Sequence, residues 1–188
     1  SSYKTFKELT QHPKVKAIGE IGLDFYRDRV DPEIQKAVLL NQLQLSAEIN
    51  LPIVIHTRNS LIETMKIIIN WKNELSNRNI FGVFHSFEGD LNNALLVSEN
   101  GFFIGIGGPV TYKNAKEKQE LVQAIPLTSI VLETDSPYLS PHPFRGKSNE
   151  PANIKLIAEK ISNLCEKPLK LVQQETTQNA NRLFAWEH

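Results

Sequence analysis

Four residues able to bind a cation or move a proton stand in or directly after apolar runs: Glu20, His56, His85 and Asp135. Two imidazoles with two carboxylates form a set suited to a divalent metal. Neutral imidazole favours Zn, Ni, Co or Mn, and carboxylate extends the range towards Mg. Such a site, with open positions, can lower the pKa of a bound water and generate hydroxide near neutral pH. The chemistry expected is therefore metal-assisted hydrolysis. Each residue alone has a simpler explanation. A strand-end His is commonly a hydrogen-bond partner, and an acid after a strand is commonly a helix cap. Glu20 is harder to explain that way, because an unpaired carboxylate inside an apolar run is costly. Recurrence at four of five apolar runs carries the argument.

Cations sit near the same motifs. Arg58 follows His56 by two residues, and Arg145 and Lys147 share a Gly-containing loop. Cations at a rim can clamp a phosphate, Arg bidentately. The alternative for each is a solvated surface charge. Arg27 and Arg29 follow Asp24 and carry a weaker expectation of the same kind. Phe25 and Tyr26 could stack on a nucleobase or, for Phe25, pack in the core. Gly105-Ile106-Gly107-Gly108 lacks the spacing and the following Lys-Ser/Thr of a phosphate loop, and reads as a tight turn. Gly22 and Gly89 permit close backbone approach or turns. His12, His142 and His188 read as surface residues.

The elements that must position these residues are legible in outline. Five short apolar runs, at 15–21, 52–56, 80–85, 102–107 and 129–134, are continuous rather than alternating. That suits parallel strands covered on both faces. Helical patterns separate them. Asp31-Pro32-Glu33 supplies an N-cap and a first-turn proline, and Ser60-Leu61-Ile62-Glu63 fits a capping box. Further helices are expected over 90–100 and 114–124, with starts at Pro151 and Pro168. Strand then helix, repeated, gives an α/β class with a parallel sheet. The candidate residues are roughly 30 to 50 positions apart, near the ~30 of a βαβ unit. Parallel strands bring their C-terminal ends to one rim, where (β/α)8 barrels place active sites.

Composition narrows the class of function. In 188 residues, 40% are hydrophobic and 22% charged, and Lys+Arg equals Asp+Glu at 21 each. Zero formal charge argues against a general nucleic-acid coat, while permitting an enzyme that grips a strand end with a few local cations. One cysteine, Cys165, allows no disulfide framework, which fits a cytoplasmic protein. No apolar run reaches the roughly 18 residues of a membrane span.

The motifs Ala17-Ile18-Gly19-Glu20-Ile21-Gly22-Leu23-Asp24, Pro52-Ile53-Val54-Ile55-His56-Thr57-Arg58 and His85-Ser86-Phe87-Glu88-Gly89 resemble the signatures of the TatD family of metal-dependent hydrolases. So do Leu132-Glu133-Thr134-Asp135-Ser136-Pro137-Tyr138-Leu139 and the segment from Phe144 to Pro151. The resemblance implies a single hydrolase domain over 1–188 and a (β/α)8 TIM barrel of the metal-dependent hydrolase superfamily. It implies phosphodiester hydrolysis of DNA, with single-stranded 3′ ends as substrate, and one or two divalent ions (Mg, Zn, Mn, Ni or Co). It implies Glu20, His56, His85 and Asp135 as metal ligands, Glu20 bridging, with Glu20 and Asp135 catalytic. Arg58, Arg145 and Lys147 are the expected substrate contacts. It further implies that this chain holds only strands four to eight, with about 70–80 residues of the barrel absent. No His-x-His pair, which many members carry on the first strand, occurs here. Five strands of a barrel leave two open sheet edges, through which an oligomer could form. Two other functions stay open: hydrolysis of an amide, lactone or phosphotriester on the same fold, and an inactive fragment that binds nucleic acid or a partner chain.

Overall fold

The computed structural model describes residues 2–26, 30–75 and 81–186. It is an α/β fold around one parallel five-stranded sheet: β1 (Ile18–Asp24), β2 (Ile53–Arg58), β3 (Gly82–Phe84), β4 (Phe102–Ile106) and β5 (Ile130–Leu132). The strands lie in sequence order, each parallel to the next. α1 (Ser2–Leu9) precedes the sheet. α2 (Pro32–Ile49), α3 (Leu61–Asn73), α4 (Leu91–Glu99) and α5 (Lys116–Ala124) are the crossovers, and α6 (Ile154–Leu164) and α7 (Leu169–Phe184) close the chain.

Local chemistry explains most boundaries. Asp31 caps α2 by accepting the Glu33 N–H at 2.7 Å, with Pro32 at the first helical position. Asp90 and Asn93 form a reciprocal capping box at α4. Ser60 departs from its expected role. Its hydroxyl donates to Leu23 O at 2.5 Å and accepts from the Arg58 N–H, so it stitches β1 to the end of β2 instead of capping α3. β1 starts three residues later than the apolar run and carries Gly22, Leu23 and Asp24 inside the strand. The hydrophobic run had hidden this, because strand geometry tolerates polar residues on one face. Ile80, the expected start of β3, lies outside the described residues.

The two faces of the sheet differ. One packs Ile21, Leu23, Ile53, Ile55, Phe84 and Ile104 against apolar side chains of the helices. Removing a side chain such as Ile55, fully buried there, is worth about 2–5 kcal/mol. The other face carries a smaller cluster of Val83, Phe103, Val131 and Leu183, with Val54 and Phe184 against it. A cavity of about 460 Å³ opens over this second face, with His85 and Glu133 in its lining. Period-two alternation places Val54, His56 and Arg58 together on it, and the functional residues stand at its C-terminal rim. Among the described residues no helix is long and apolar enough to cross a membrane.

Candidate metal centre

Glu20 and His56 come from neighbouring strands, where Gly22 pairs with His56. This approach requires glycine. A Cβ on Gly22 would lie 1.9 Å from His56 O, at φ +152. His85 is the first residue beyond β3, and Glu133 the first beyond β5. Three non-glycine residues, Asn59, Ser86 and Asp135, adopt left-handed backbone just past β2, β3 and β5. Such strain concentrates at functional sites.

The donors converge. Glu20 Oε2 lies 3.5 Å from His85 Nε2 and 3.8 Å from His56 Nδ1. The two imidazole nitrogens are 3.2 Å apart. Metal–ligand bonds of about 2.0–2.2 Å put neighbouring tetrahedral ligands roughly 3.4 Å from each other. The three atoms thus have the spacing of one face of a coordination shell, and Glu20, His56 and His85 can hold a metal ion.

What stands behind each imidazole strengthens the fit. Asp24 Oδ2 faces His56 Nε2 at 3.6 Å, and Glu133 Oε2 faces His85 Nδ1 at 4.0 Å. A carboxylate behind an imidazole favours the N–H on that side. Both rings then turn lone pairs towards the Glu20 carboxylate. A cation among these three atoms would satisfy all of them at once.

Glu133 is itself held. Its Oε1 accepts the Ser86 N–H at 2.5 Å, and Gly105 leaves room for Oε2, which a Cβ there would meet at 2.5 Å. Burial pushes the Glu133 carboxyl up to about 7; the Ser86 N–H and Lys118 pull it down, while Asp135 and Glu20 add to the rise. Lys118 reaches in from α5 and donates to Phe87 O at 2.7 Å. Burial lowers its pKa, partly offset by Glu133 and Glu88.

Of the residues expected from sequence, Glu20, His56 and His85 are brought together. Asp135 follows Glu133 by two residues and its charge acts on that carboxyl; it is not part of the three-donor group. Arg58 is the backbone register partner of Asp24 across the sheet, and its Cζ lies over Tyr26, 3.9 Å from the ring centroid. Arg145 stacks over Tyr112 at 4.3 Å and donates to Asn114, and Lys147 lies 6.0 Å above Phe144. Arg27, Arg29 and His188 lie outside the described residues. His12 and His142 are exposed. The expected Gly105–Gly108 turn is corrected in part: Gly105 is within β4, and a 3-10 turn starts at Gly108. Asp24, Glu133 and Lys118 were not expected as site residues. A signal existed for Asp24, which shares a strand face with Gly22 at period two. None existed for Lys118, which arrives from a helix.

The model of the TatD-related DNase family matches residues 1–185. The chain is 44% identical to YabD of Bacillus subtilis, an uncharacterized metal-dependent hydrolase, over 95% of this chain and 68% of that protein. It is 33% identical to the 3′-5′ ssDNA/RNA exonuclease TatD of Shigella flexneri, over 94% of this chain and 68% of that one. The crystal structure of the TatD homologue YjjV from Escherichia coli K12 superposes with a TM-score of 0.90 at 29% identity, covering 99% of this chain and 71% of its own. The chain therefore spans about two thirds of the length of these relatives. With paired strand-end imidazoles, a facing carboxylate and a family match over nearly every residue, the chain belongs to the TatD-related DNase family of metal-dependent hydrolases.

Proposed function

We propose that this chain carries the catalytic rim of a divalent-metal nuclease that hydrolyses phosphodiester bonds of DNA from single-stranded 3′ ends, its strands being four to eight of a (β/α)8 barrel. The observation that carries the reading is the convergence of Glu20 Oε2, His56 Nδ1 and His85 Nε2 at the C-terminal ends of parallel strands. A divalent ion bound there supplies Lewis acidity towards a phosphoryl oxygen and towards water. Glu20, His56 and His85 hold the ion. Asp24 and Glu133 orient the imidazoles from behind. Asp135, at the same rim, takes the proton of the attacking water. Arg58, Arg145 and Lys147 neutralise phosphate oxygens along the strand.

The test is metal-stimulated cleavage of a fluorescent single-stranded oligonucleotide, with and without EDTA. Cleavage that EDTA abolishes, and that Glu20→Ala or Asp135→Ala reduces at least a hundredfold, is the expected result. Cleavage untouched by these substitutions would remove the assignment. An active metal centre that hydrolyses an ester or lactone but no phosphodiester would redirect it to another substrate class.

A further inference from the structure

The aromatic pair next to the metal centre divides its labour. Phe25 packs against the hydrophobic core. Tyr26 does not, and 59% of its surface is exposed. One face of its ring is covered by the Arg58 guanidinium at 3.9 Å. Its backbone is held too: the Tyr26 N–H donates to Asp24 Oδ1 at 2.9 Å, and the Phe25 N–H to Arg58 O at 2.9 Å. The other oxygen of that same Asp24 carboxylate faces His56 Nε2. One carboxylate thus links the backbone of an exposed aromatic residue to an imidazole of the candidate metal centre.

We propose that Tyr26, backed by Arg58, is a stacking platform for an unpaired nucleobase of a strand whose phosphate lies at the metal centre; this rests on the nuclease reading above. An aromatic ring with a cation on one face offers its other face to a flat π-system. Every nucleobase is one, so stacking tolerates sequence. A base inside a duplex is already stacked on both sides and cannot take the position. The platform thus selects single strands or frayed ends. The guanidinium over the ring carries N–H donors suited to the adjoining phosphate. Base–aromatic stacking contributes roughly five- to 150-fold in affinity.

Binding can be read apart from cleavage. A short single-stranded oligonucleotide with a terminal 2-aminopurine is titrated with protein in EDTA. The expected result is saturable quenching of the 2-aminopurine that is lost in Tyr26→Ala and retained in Tyr26→Phe. Affinity, followed by the anisotropy of a dye on the other end of the strand, should be weakened roughly five- to 150-fold in Tyr26→Ala alone of the two. Tyr26→Leu, which keeps apolar cover but no ring, should behave like the Ala variant. The same base inside a blunt duplex should show no dependence on Tyr26. Absence of quenching in the wild-type protein, or quenching by Tyr26→Ala equal to wild type, overturns the proposal. Metal-stimulated cleavage of the same oligonucleotide is scored separately: quenching without cleavage sinks the nuclease reading and leaves the platform standing, and cleavage without quenching does the reverse.

Discussion

Asp24 Oδ2 lies 3.6 Å from His56 Nε2, on the side of the ring opposite His85 and Glu20. The other Asp24 oxygen accepts the Tyr26 N–H at 2.9 Å, so the carboxylate is fixed from both ends. It can hold a proton on Nε2 and keep Nδ1 unprotonated, as a metal ligand must be.

Asp24→Asn should therefore weaken metal binding about 10–100-fold, the usual cost of losing such a partner. The side chain is of nearly equal size and can still accept the Tyr26 N–H, so the fold should survive. Competition with a chromophoric chelator measures the affinity, and circular dichroism checks the fold. Wild-type affinity in a folded Asp24→Asn protein would show that the carboxylate does not orient His56.

Asp24 also illustrates where sequence reading stops. Continuous apolar runs made the parallel α/β order legible, and acid–proline and Asp90 signals placed helices to within a few residues. Glu20, His56 and His85 were legible because each interrupts or ends an apolar run. Asp24 offered only its strand face as a signal, and neither its role nor that of Glu133 could be assigned, because it lies in which nitrogen each faces on another strand. Gly105 looked like part of a turn. Its reason is steric, room for a carboxylate 28 positions away, and only folding reveals that neighbour. Ser60 looked like a cap because its spacing to Glu63 is right, yet the nearby Leu23 carbonyl claims its hydroxyl.

Metal should stabilise the native state through the three donors. An ion at 100 times its Kd contributes about 2.7 kcal/mol. For a chain of this size that corresponds to roughly 5–10 °C in Tm. Thermal unfolding with Mn or Zn added to EDTA-stripped protein should show the rise. His56→Ala and His85→Ala should each lose most of it. An equal rise in both variants would place the stabilising ion elsewhere.

Cys165 offers a check on the packing between α5 and α6. Its Sγ donates to Val122 O at 3.4 Å, and burial pushes the thiol pKa up, with Lys167 pulling weakly the other way. A raised pKa means less thiolate at any given pH below it, and thiolate is the reactive form. Alkylation at pH 8 should thus be slower in native protein than in denaturant, and the native rate should keep climbing with pH beyond the point where the unfolded thiol levels off. Equal rates in the two states would mean that the thiol is open to solvent.

Gly105 and Glu133 should be energetically coupled. In Gly105→Ala the new Cβ meets Glu133 Oε2 at 2.5 Å, and His85 Cα and Phe84 O at 3.0 Å. The flexible carboxylate is what can yield. Overpacking of this kind costs about 1–3 kcal/mol. It should also pull Oε2 from His85 and lower metal affinity. Glu133→Ala removes the obstacle, so adding Gly105→Ala to that background should cost at least about 1 kcal/mol less than it does in wild type. Residues in direct contact show couplings of this size, whereas distant ones simply add. Chemical denaturation of the four proteins of the cycle, in EDTA, gives the coupling energy. A value near zero would mean that the strain falls on the Phe84 and His85 backbone, and that Gly105 spaces the strands without regard to the carboxylate.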